Sequence, residues 1–500
     1  MPTIKERPRE LVDGLPNISG GEERLALKGA RRKKEVYAPV SNIDFERVNS
    51  GFGIALHMHQ PTIPASTDDL RGAHLISNLQ YMLEHQNIGD NHNATVFLWC
   101  YARMSEFLRE LAGQGHNPRV MLDYSGNLLW GLRQIDGGKA LDSLSLITCD
   151  KKYYRYCEWL GTMWSHAVVT STPVPDIKLH MLAWRKHFAS IFGYDALDRV
   201  KGFSAPEMHL PIHPDVCYEY VKALKECGYE WLMVQEHTIE NLDGKPIHRP
   251  HFPHKLVAKN SLGKTEEITV LVKTQGSDTK LVAQMQPYYE AKSRLREDLQ
   301  GRRMPPYVLQ IGDGENGGVM MNEFPPAYKQ AFREIGIVGT VGMNGSEYLE
   351  FLKLSGADER FFTPVQPVSQ HRIWEFVTEY SPGACDRAIE AIHGRDPNYN
   401  LDKGSWTNDK NWVKGYEDIL GPINKLSVMF HRKFDTSTEL SIDPVRRRRA
   451  GSKSADTEDP GYRKALLYLL LSQSSDFRYW GQGLWTDYAR EICRRGMEAL

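Results

Sequence analysis

Apolar residues along this chain fall into two alternating patterns: short continuous runs, and longer stretches with helical spacing. Gly51 to Met58, Val120 to Tyr124, Val200 to Phe203, Tyr229 to Gln235, Tyr307 to Ile311 and Ile337 to Val341 have the length and composition of buried strands. Between them, Ala94 to Leu111 places Val96, Leu98, Met104, Phe107, Leu108 and Leu111 at helical spacing and ends near Gly113. Gly126 to Ile135, Ile177 to Phe192 and Pro214 to Cys227 read as further helices, the last stopped by Gly228. Strands alternating with helices predict an α/β protein with a parallel sheet or barrel. The stretch 236–300 is mixed, with a β run at Ile268 to Lys273, and reads as an insertion.

Beyond about residue 375 the strand signals fade. Cys385 to His393, Trp412 to Phe430, Tyr462 to Gln473 and Thr486 to Leu500 have helical patterning, with a loop at 442–460. The pattern therefore divides the chain into a charged, Pro- and Gly-broken N-terminal extension (1–46), an α/β part (47–375) and a C-terminal helical domain (376–500). No internal repeat is visible.

The 500-residue chain is 41% hydrophobic, enough for a sizeable core, and its formal net charge of -1 gives no global reason to expect a nucleic-acid or membrane partner. Arg446 to Arg449 is a local basic run inside a Ser/Asp/Lys-rich stretch and reads as a solvated loop. Seven cysteines, none in a C-x-x-C pair, suggest reduced thiols. The segment from Met1 to Pro8 lacks an apolar signal region, and no stretch approaches the roughly 18 apolar residues of a membrane helix. A cytoplasmic location is the expectation. The sequence leaves the oligomeric state open.

The chemistry concentrates where apolar runs end. Glu207 follows the run ending at Phe203, with Pro206 stiffening the backbone before it; Asp313 follows Tyr307 to Ile311 inside Gly312-Asp-Gly314. Carboxylates at the carboxyl ends of barrel strands are where catalytic groups sit, and glycoside hydrolysis needs two of them. A third run opens onto the same face as Leu56-His-Met-His-Gln-Pro61, where period-two alternation puts His57 and His59 on one side. Those histidines suit hydrogen bonding to hydroxyls. They also suit zinc, with His209 or Asp313 as a third ligand, which keeps a zinc-dependent deacetylase-like or mannosidase-like barrel open. Gly312 to Gly317 matches G-x-G-x-x-G, but Asp313 and Glu315 would set negative charge beside a pyrophosphate, and Pro325-Pro326 stand where a helix should continue.

In order and spacing, these segments resemble glycoside hydrolase family 57. His59-Gln-Pro61 resembles its first motif, Ser125-Gly-Asn-Leu-Leu129 its second, Ala205-Pro-Glu-Met208 the motif with the nucleophilic Glu, and Gly312-Asp-Gly-Glu315 the segment whose Asp is the acid/base. Gly404-Ser-Trp406 and Gln473-Ser-Ser-Asp476 resemble parts of its helical region, so the likeness runs from about 51 to 495. The resemblance implies an incomplete (β/α)7 barrel followed by a C-terminal helical domain. It implies retaining chemistry on α-linked glucans, with no metal or organic cofactor. Glu207 would be the nucleophile and Asp313 the acid/base, its proton affinity raised by burial and by Glu207 and Glu315. His57, His59, Gln60, Trp406 and Asp476 would contact the sugar. Hydrolysis of the α-amylase type is the first reading, glucan transfer by the same residues the second, and a non-catalytic glucan-binding relative a third. The chain departs from the family pattern at Phe203-Ser204, where a Trp is common; at Asn316-Gly-Gly318, where an aromatic or basic residue is usual; and after Gly126-Asn127, where an acidic residue is usual.

Overall fold

The longest apolar run, Val48–Met58, forms the central strand β1 of a mixed α/β architecture. The structure, a computed structural model, describes residues 6–21, 34–65, 69–274, 280–316, 318–401, 417–435, 457–479 and 483–500. Six further strands join β1: β2 (Val120–Tyr124), β3 (Cys157–Leu160), β4 (Gly202–Ser204), β5 (Trp231–Gln235), β6 (Thr265–Lys273) and β7 (Tyr307–Asp313). All their mutual pairings are parallel. They run β1–β2–β3, then by the single bridge Gly161 to Phe203 into β4, on through β5 and β6, and by Lys273 opposite Leu309 into β7, which returns to β1. A shorter strand, β8 (Gly339–Gly342), pairs with the first half of β1. The β run within the stretch 236–300 thus lies in this sheet as β6, with His254–Lys259 antiparallel beside it.

Alternation along these strands sorts the side chains into two sets. Ala55, Met121, Leu160, Trp231, Met233, Leu271, Leu309 and Ile311 share one buried cluster; Phe52, Ile54, Leu56, Leu122, Phe203, Leu232, Val270 and Val308 face the helices. The same period places His57, Asp123, Gln235, Lys273 and Asp313 on the first face, at or near the carboxyl ends of their strands. Gly51 and Gly53 make room on that face: a Cβ on Gly53 would lie 1.8 Å from Tyr307 Oη, and one on Gly51 2.2 Å from Met343 Cε. The Tyr307 hydroxyl uses that room to donate to the Met343 carbonyl at 2.8 Å.

The helices form close to where periodicity sets them. They are α1 (Ala94–Gly113), α2 (Gly126–Gln134), α3 (Lys139–Cys149), α4 (Val174–Phe192), α5 (Pro214–Glu226), α6 (Phe324–Glu334) and α7 (Gly345–Leu354). Pro325 and Pro326 do not break a helix. They occupy the first turn of α6, where a missing N–H costs nothing because that donor has no partner within the helix. Strand β3 and helices α3, α6 and α7 are additions to the sequence reading.

Past residue 375, Ala384–His393 is followed by α8 (Glu417–Phe434), α9 (Pro460–Ser472) and α10 (Leu484–Ala499). Ile423, Leu426, Phe430, Leu466, Leu470, Ile492 and Cys493 from the last three belong to the same buried cluster as the outer side of the sheet. A polar seam accompanies this packing. Asp176 of α4 meets His431 Nε2 at 2.6 Å and accepts from Gln473 Nε2 at 2.6 Å, while Gln473 Oε1 lies 2.8 Å from His180 Nε2. The expected helix from Trp412 lies partly, and Trp406 and Arg446 to Arg449 lie wholly, outside the described residues. All seven cysteines are free thiols, and among the described residues no helix is long and apolar enough to cross a membrane. The N-terminal extension, expected as a tail, packs in its described parts: Ile18, Tyr37, Ile43 and Phe45 are buried, and Glu350 accepts from the Val36, Tyr37 and Ala38 N–H groups at 2.8 Å each.

At the opposite end of the sheet from Asp313, Arg119 holds Glu347 through Nε to Oε2 at 2.8 Å and Nη2 to Oε1 at 2.9 Å, both side chains 1% exposed. Removing one partner leaves a buried charge uncompensated. Arg119→Met is therefore expected to lower unfolding free energy by about 3–5 kcal/mol. In urea titrations the double variant Arg119→Met/Glu347→Leu should be more stable than Arg119→Met alone; the reverse order would remove this pair from the account.

Candidate active site

Three adjacent strands bring three ionisable groups into one row. In the pairing register Asp123 of β2 lies opposite His57 of β1, which lies opposite Asp313 of β7. His57 Nδ1 is 3.0 Å from Asp123 Oδ2. Burial disfavours a charge on His57, but the Asp123 carboxylate, with Asp313 and Glu315 beyond it, raises its proton affinity to about 10. Burial raises the proton affinity of Asp313 itself; the His57 cation opposes this and Asp123 adds to it, leaving the net shift upward. Asp123, which the sequence reading did not single out, is an acidic neighbour that works with burial on Asp313.

Glu315 sits in the turn after β7. Its Oε1 accepts from the His59 N–H at 3.1 Å and from the Tyr101 hydroxyl at 3.4 Å; its Oε2 is buried with no hydrogen bond among the described residues. Burial and the neighbouring Asp313 push Glu315 up to about 7, against the pull of His57 and the His59 N–H.

His57 and His59 do come together, but through a third ring. His166, in the loop after β3, stacks on His57 with centroids 4.6 Å apart and on His59 at 4.3 Å, with interplanar angles of 29° and 18°. Both nitrogens of His59 are occupied: Nδ1 meets Ser125 Oγ, the N-cap of α2, at 2.7 Å, and Nε2 meets Asp476 Oδ2 at 2.6 Å. Asp476 Oδ2 also accepts from Ser474 Oγ at 2.6 Å. Burial penalises the Asp476 charge, yet His59 and Ser474 hold its carboxyl below the usual carboxylate range. His59 and Asp476, expected to touch a sugar, here hold one another across the seam between sheet and C-terminal helices.

Glu207 follows β4 in a short turn where it and Met208 adopt φ of 58° and 52°, the left-handed region that non-glycine residues rarely enter. Its side chain is 16% exposed, and Oε1 is 3.7 Å from His166 Nε2. The three-histidine stack thus joins Glu207 on one side to the Asp123–His57–Asp313 row on the other. Gln60 is buried and accepts from Asn78 Nδ2 at 3.0 Å, one layer behind the site. His209 Nε2 lies 3.3 Å from Thr170 Oγ1. Among the described residues, no group of three or more His, Cys, Asp or Glu side chains is arranged to hold a metal ion. Trp406 lies outside the described residues.

Sequence reading gave no site role to Asp123, Tyr101 or His166, nor to Ser125 and Ser475 within their motifs; Ser475 Oγ lies 2.6 Å from His166 Nδ1. Asp123 carried a signal, as the one charged residue inside an otherwise buried run. His166 carried none: its segment has no periodicity, and its partners lie at least 41 positions away along the chain.

The His57–Asp123 pair makes stability depend on pH. The proton affinity of His57 is about 10 when folded and 6.5 as its ordinary value, so its stabilisation is full below about pH 6.5 and disappears as pH rises through 10. Asp123→Asn is expected to cost about 3 kcal/mol at pH 6. The gap between wild type and variant should narrow toward pH 10 in denaturant titrations. A gap that stays constant over this range would mean that His57 is not charged in the folded protein.

No protein-family model and no curated protein matches the sequence. Among solved structures, the chain superposes on a 4-α-glucanotransferase from Thermococcus litoralis with a TM-score of 0.51 at 17% identity, covering 90% of this chain and 60% of that one. An α-amylase from Thermotoga maritima (TM-score 0.49, 11% identity, 90% and 93% coverage) and a branching enzyme of the family 57 type from Pyrococcus horikoshii (0.45, 12%, 90% and 88%) are also similar. This chain thus spans 60% of the length of the glucanotransferase. The fold of this chain is like that of the Thermococcus litoralis 4-α-glucanotransferase.

Proposed function

We propose that this protein is a retaining enzyme acting on α-linked glucans, with Glu207 as nucleophile and Asp313 as acid/base. The ring of seven parallel strands is read as the incomplete (β/α)7 barrel of such enzymes, and residues 376–500 as their helical domain. One observation carries the reading: two carboxyl groups leave the carboxyl ends of β4 and β7 and flank one cluster of stacked histidines. Asp313 is half-buried and holds its proton more tightly than an ordinary Asp, as a general acid must; Glu207 is partly exposed beside an imidazole.

In the first step a Glu207 oxygen attacks the anomeric carbon while Asp313 gives its proton to the departing glycosidic oxygen. The positive charge that develops at the anomeric carbon is met by the carboxylate. In the second step Asp313, now a carboxylate, takes a proton from water or from an acceptor hydroxyl, whose oxygen displaces Glu207. The charged His57 presents its Nε2–H to the substrate side and tempers the negative charge left on Asp313. His59, bonded at both nitrogens, is assigned to holding His166 and the Glu315 carboxyl in place rather than to sugar contact. Hydrolysis is the primary reading. Transfer to a sugar acceptor uses the same two carboxyls, and the likeness to a glucanotransferase at TM-score 0.51 is the observation that keeps it as the second.

Incubation with maltoheptaose, followed by proton NMR of the first products, tests both. The expected result is release of the α-anomer. Longer products than the substrate would select transfer; β-anomers would overturn retention. Glu207→Gln is expected to reduce turnover on the order of 10^4-fold with folding intact. Dialysis against EDTA should leave the rate unchanged, whereas a loss restored by zinc would favour the zinc-dependent reading.

A further inference from the structure

His166 is the one member of the histidine stack to which neither the motifs nor the proposed mechanism assigns a part. It is 2% exposed, yet its Nε2 is a buried nitrogen with no hydrogen bond among the described residues. A buried ring nitrogen left without a partner is unfavourable unless something engages it during function. The carboxylate oxygen Glu207 Oε1 lies 3.7 Å away, longer than a hydrogen bond and within the range that tightens when a substrate is bound. The other nitrogen, Nδ1, is fixed at 2.6 Å from Ser475 Oγ. The backbone contributes as well: His166 at φ 60° and Glu207 at φ 58° both occupy the left-handed region, so the two facing residues are each held in a conformation that their surroundings must impose.

We infer that His166 is a positioning residue for Glu207: Ser475 donates its hydroxyl to Nδ1, which places the ring proton on Nε2, and that N–H orients the Glu207 carboxylate toward the anomeric carbon. The inference rests on reading Glu207 as the nucleophile. The groups that face His166 are His57 and His59 on its two sides, with Asp123 and Asp476 behind them, Ser475 at one edge and Glu207 at the other. Burial, together with the two flanking imidazoles, keeps the His166 ring neutral. Neutrality matters. A cationic imidazole would pair with Glu207 and blunt it as a nucleophile, whereas a neutral N–H fixes its direction and leaves its charge available. The arrangement also makes the C-terminal segment part of the site, because Ser475 sets the tautomer of His166 one residue before Asp476 engages His59.

The test compares full-length wild type with His166→Ala, His166→Gln and Ser475→Ala. Gln places an amide N–H near the position of the imidazole Nε2–H, and Ser475→Ala leaves His166 in place but removes the group that sets its tautomer. Two readouts are taken. The first is turnover of maltoheptaose across pH; the second, independent of any substrate, is the titration of the carbon-13-labelled Glu207 carboxyl, identified by its absence in Glu207→Gln. His166→Ala is expected to lower kcat about tenfold to a hundredfold with KM little changed. It should also move both the acid limb of the rate profile and the Glu207 resonance to higher pH, because the carboxylate loses a donor. His166→Gln should recover most of both effects, and Ser475→Ala should show a smaller change in the same direction. If His166→Ala does not fold, Ser475→Ala still decides the matter. An unmoved Glu207 titration in those of His166→Ala and Ser475→Ala that fold, or a rise in KM with kcat intact, overturns the inference. Wild type that turns over no glucan while Glu207 still titrates higher in the variants overturns the substrate assignment and leaves the His166–Glu207 contact standing.

Discussion

One half-buried cation faces three carboxyl groups, one buried and two half-buried, at the carboxyl end of the sheet, and most of the site follows from that imbalance. His57 is held charged by Asp123 at 3.0 Å. A single positive charge cannot compensate Asp123, Asp313 and Glu315 together in a region from which water is largely excluded. The outcome is a division of labour. Asp123 takes the direct contact, and the proton affinities of Asp313 and Glu315 both rise. In the proposed reading, a general acid that must be protonated to begin a reaction is thereby obtained from register: β2, β1 and β7 place Asp123, His57 and Asp313 side by side.

Much of this was legible in the chain, and the limit is physical. Each ring strand except β3 announced itself as an apolar run. Glu207 and Asp313 could be singled out because each follows such a run, in segments matching known motifs. β3 was hidden because only four residues, Cys157 to Leu160, form it, and Glu158 interrupts its apolar character. That glutamate is buried and accepts from the Ser346 N–H, 188 positions along the chain. His166 could not be found for a related reason: its meaning lies in contacts to His57, Glu207 and Ser475, and contacts at such separations leave no local period. Pro325-Pro326 was read in the wrong sense because proline breaks helix interiors but favours their first turn, and only the structure shows which applies.

The C-terminal helices are more than a cover. Gln473 to Asp476 is buried throughout, and three of its four side chains reach the sheet-bearing part of the chain: Gln473 to Asp176 and His180, Ser475 to His166, Asp476 to His59. Ser474 supports Asp476. A segment that looked like a supplier of sugar contacts therefore acts on the histidines, one layer behind the carboxyls.

That placement explains why the strain at Glu207 and His166 can persist. A left-handed backbone at a non-glycine residue survives only where surrounding contacts over-determine it. Here the surroundings are two stacked rings, the Ser475 hydroxyl from the turn after α9 and the rigid end of a buried strand. In the proposed reading the stack links the nucleophile to the acid, through His166 beside Glu207 and His57 opposite Asp313. The imidazole stack gives each carboxyl its own neighbour, a neutral ring for Glu207 and a cationic one for Asp313, and the asymmetry between nucleophile and acid follows from which ring each one faces.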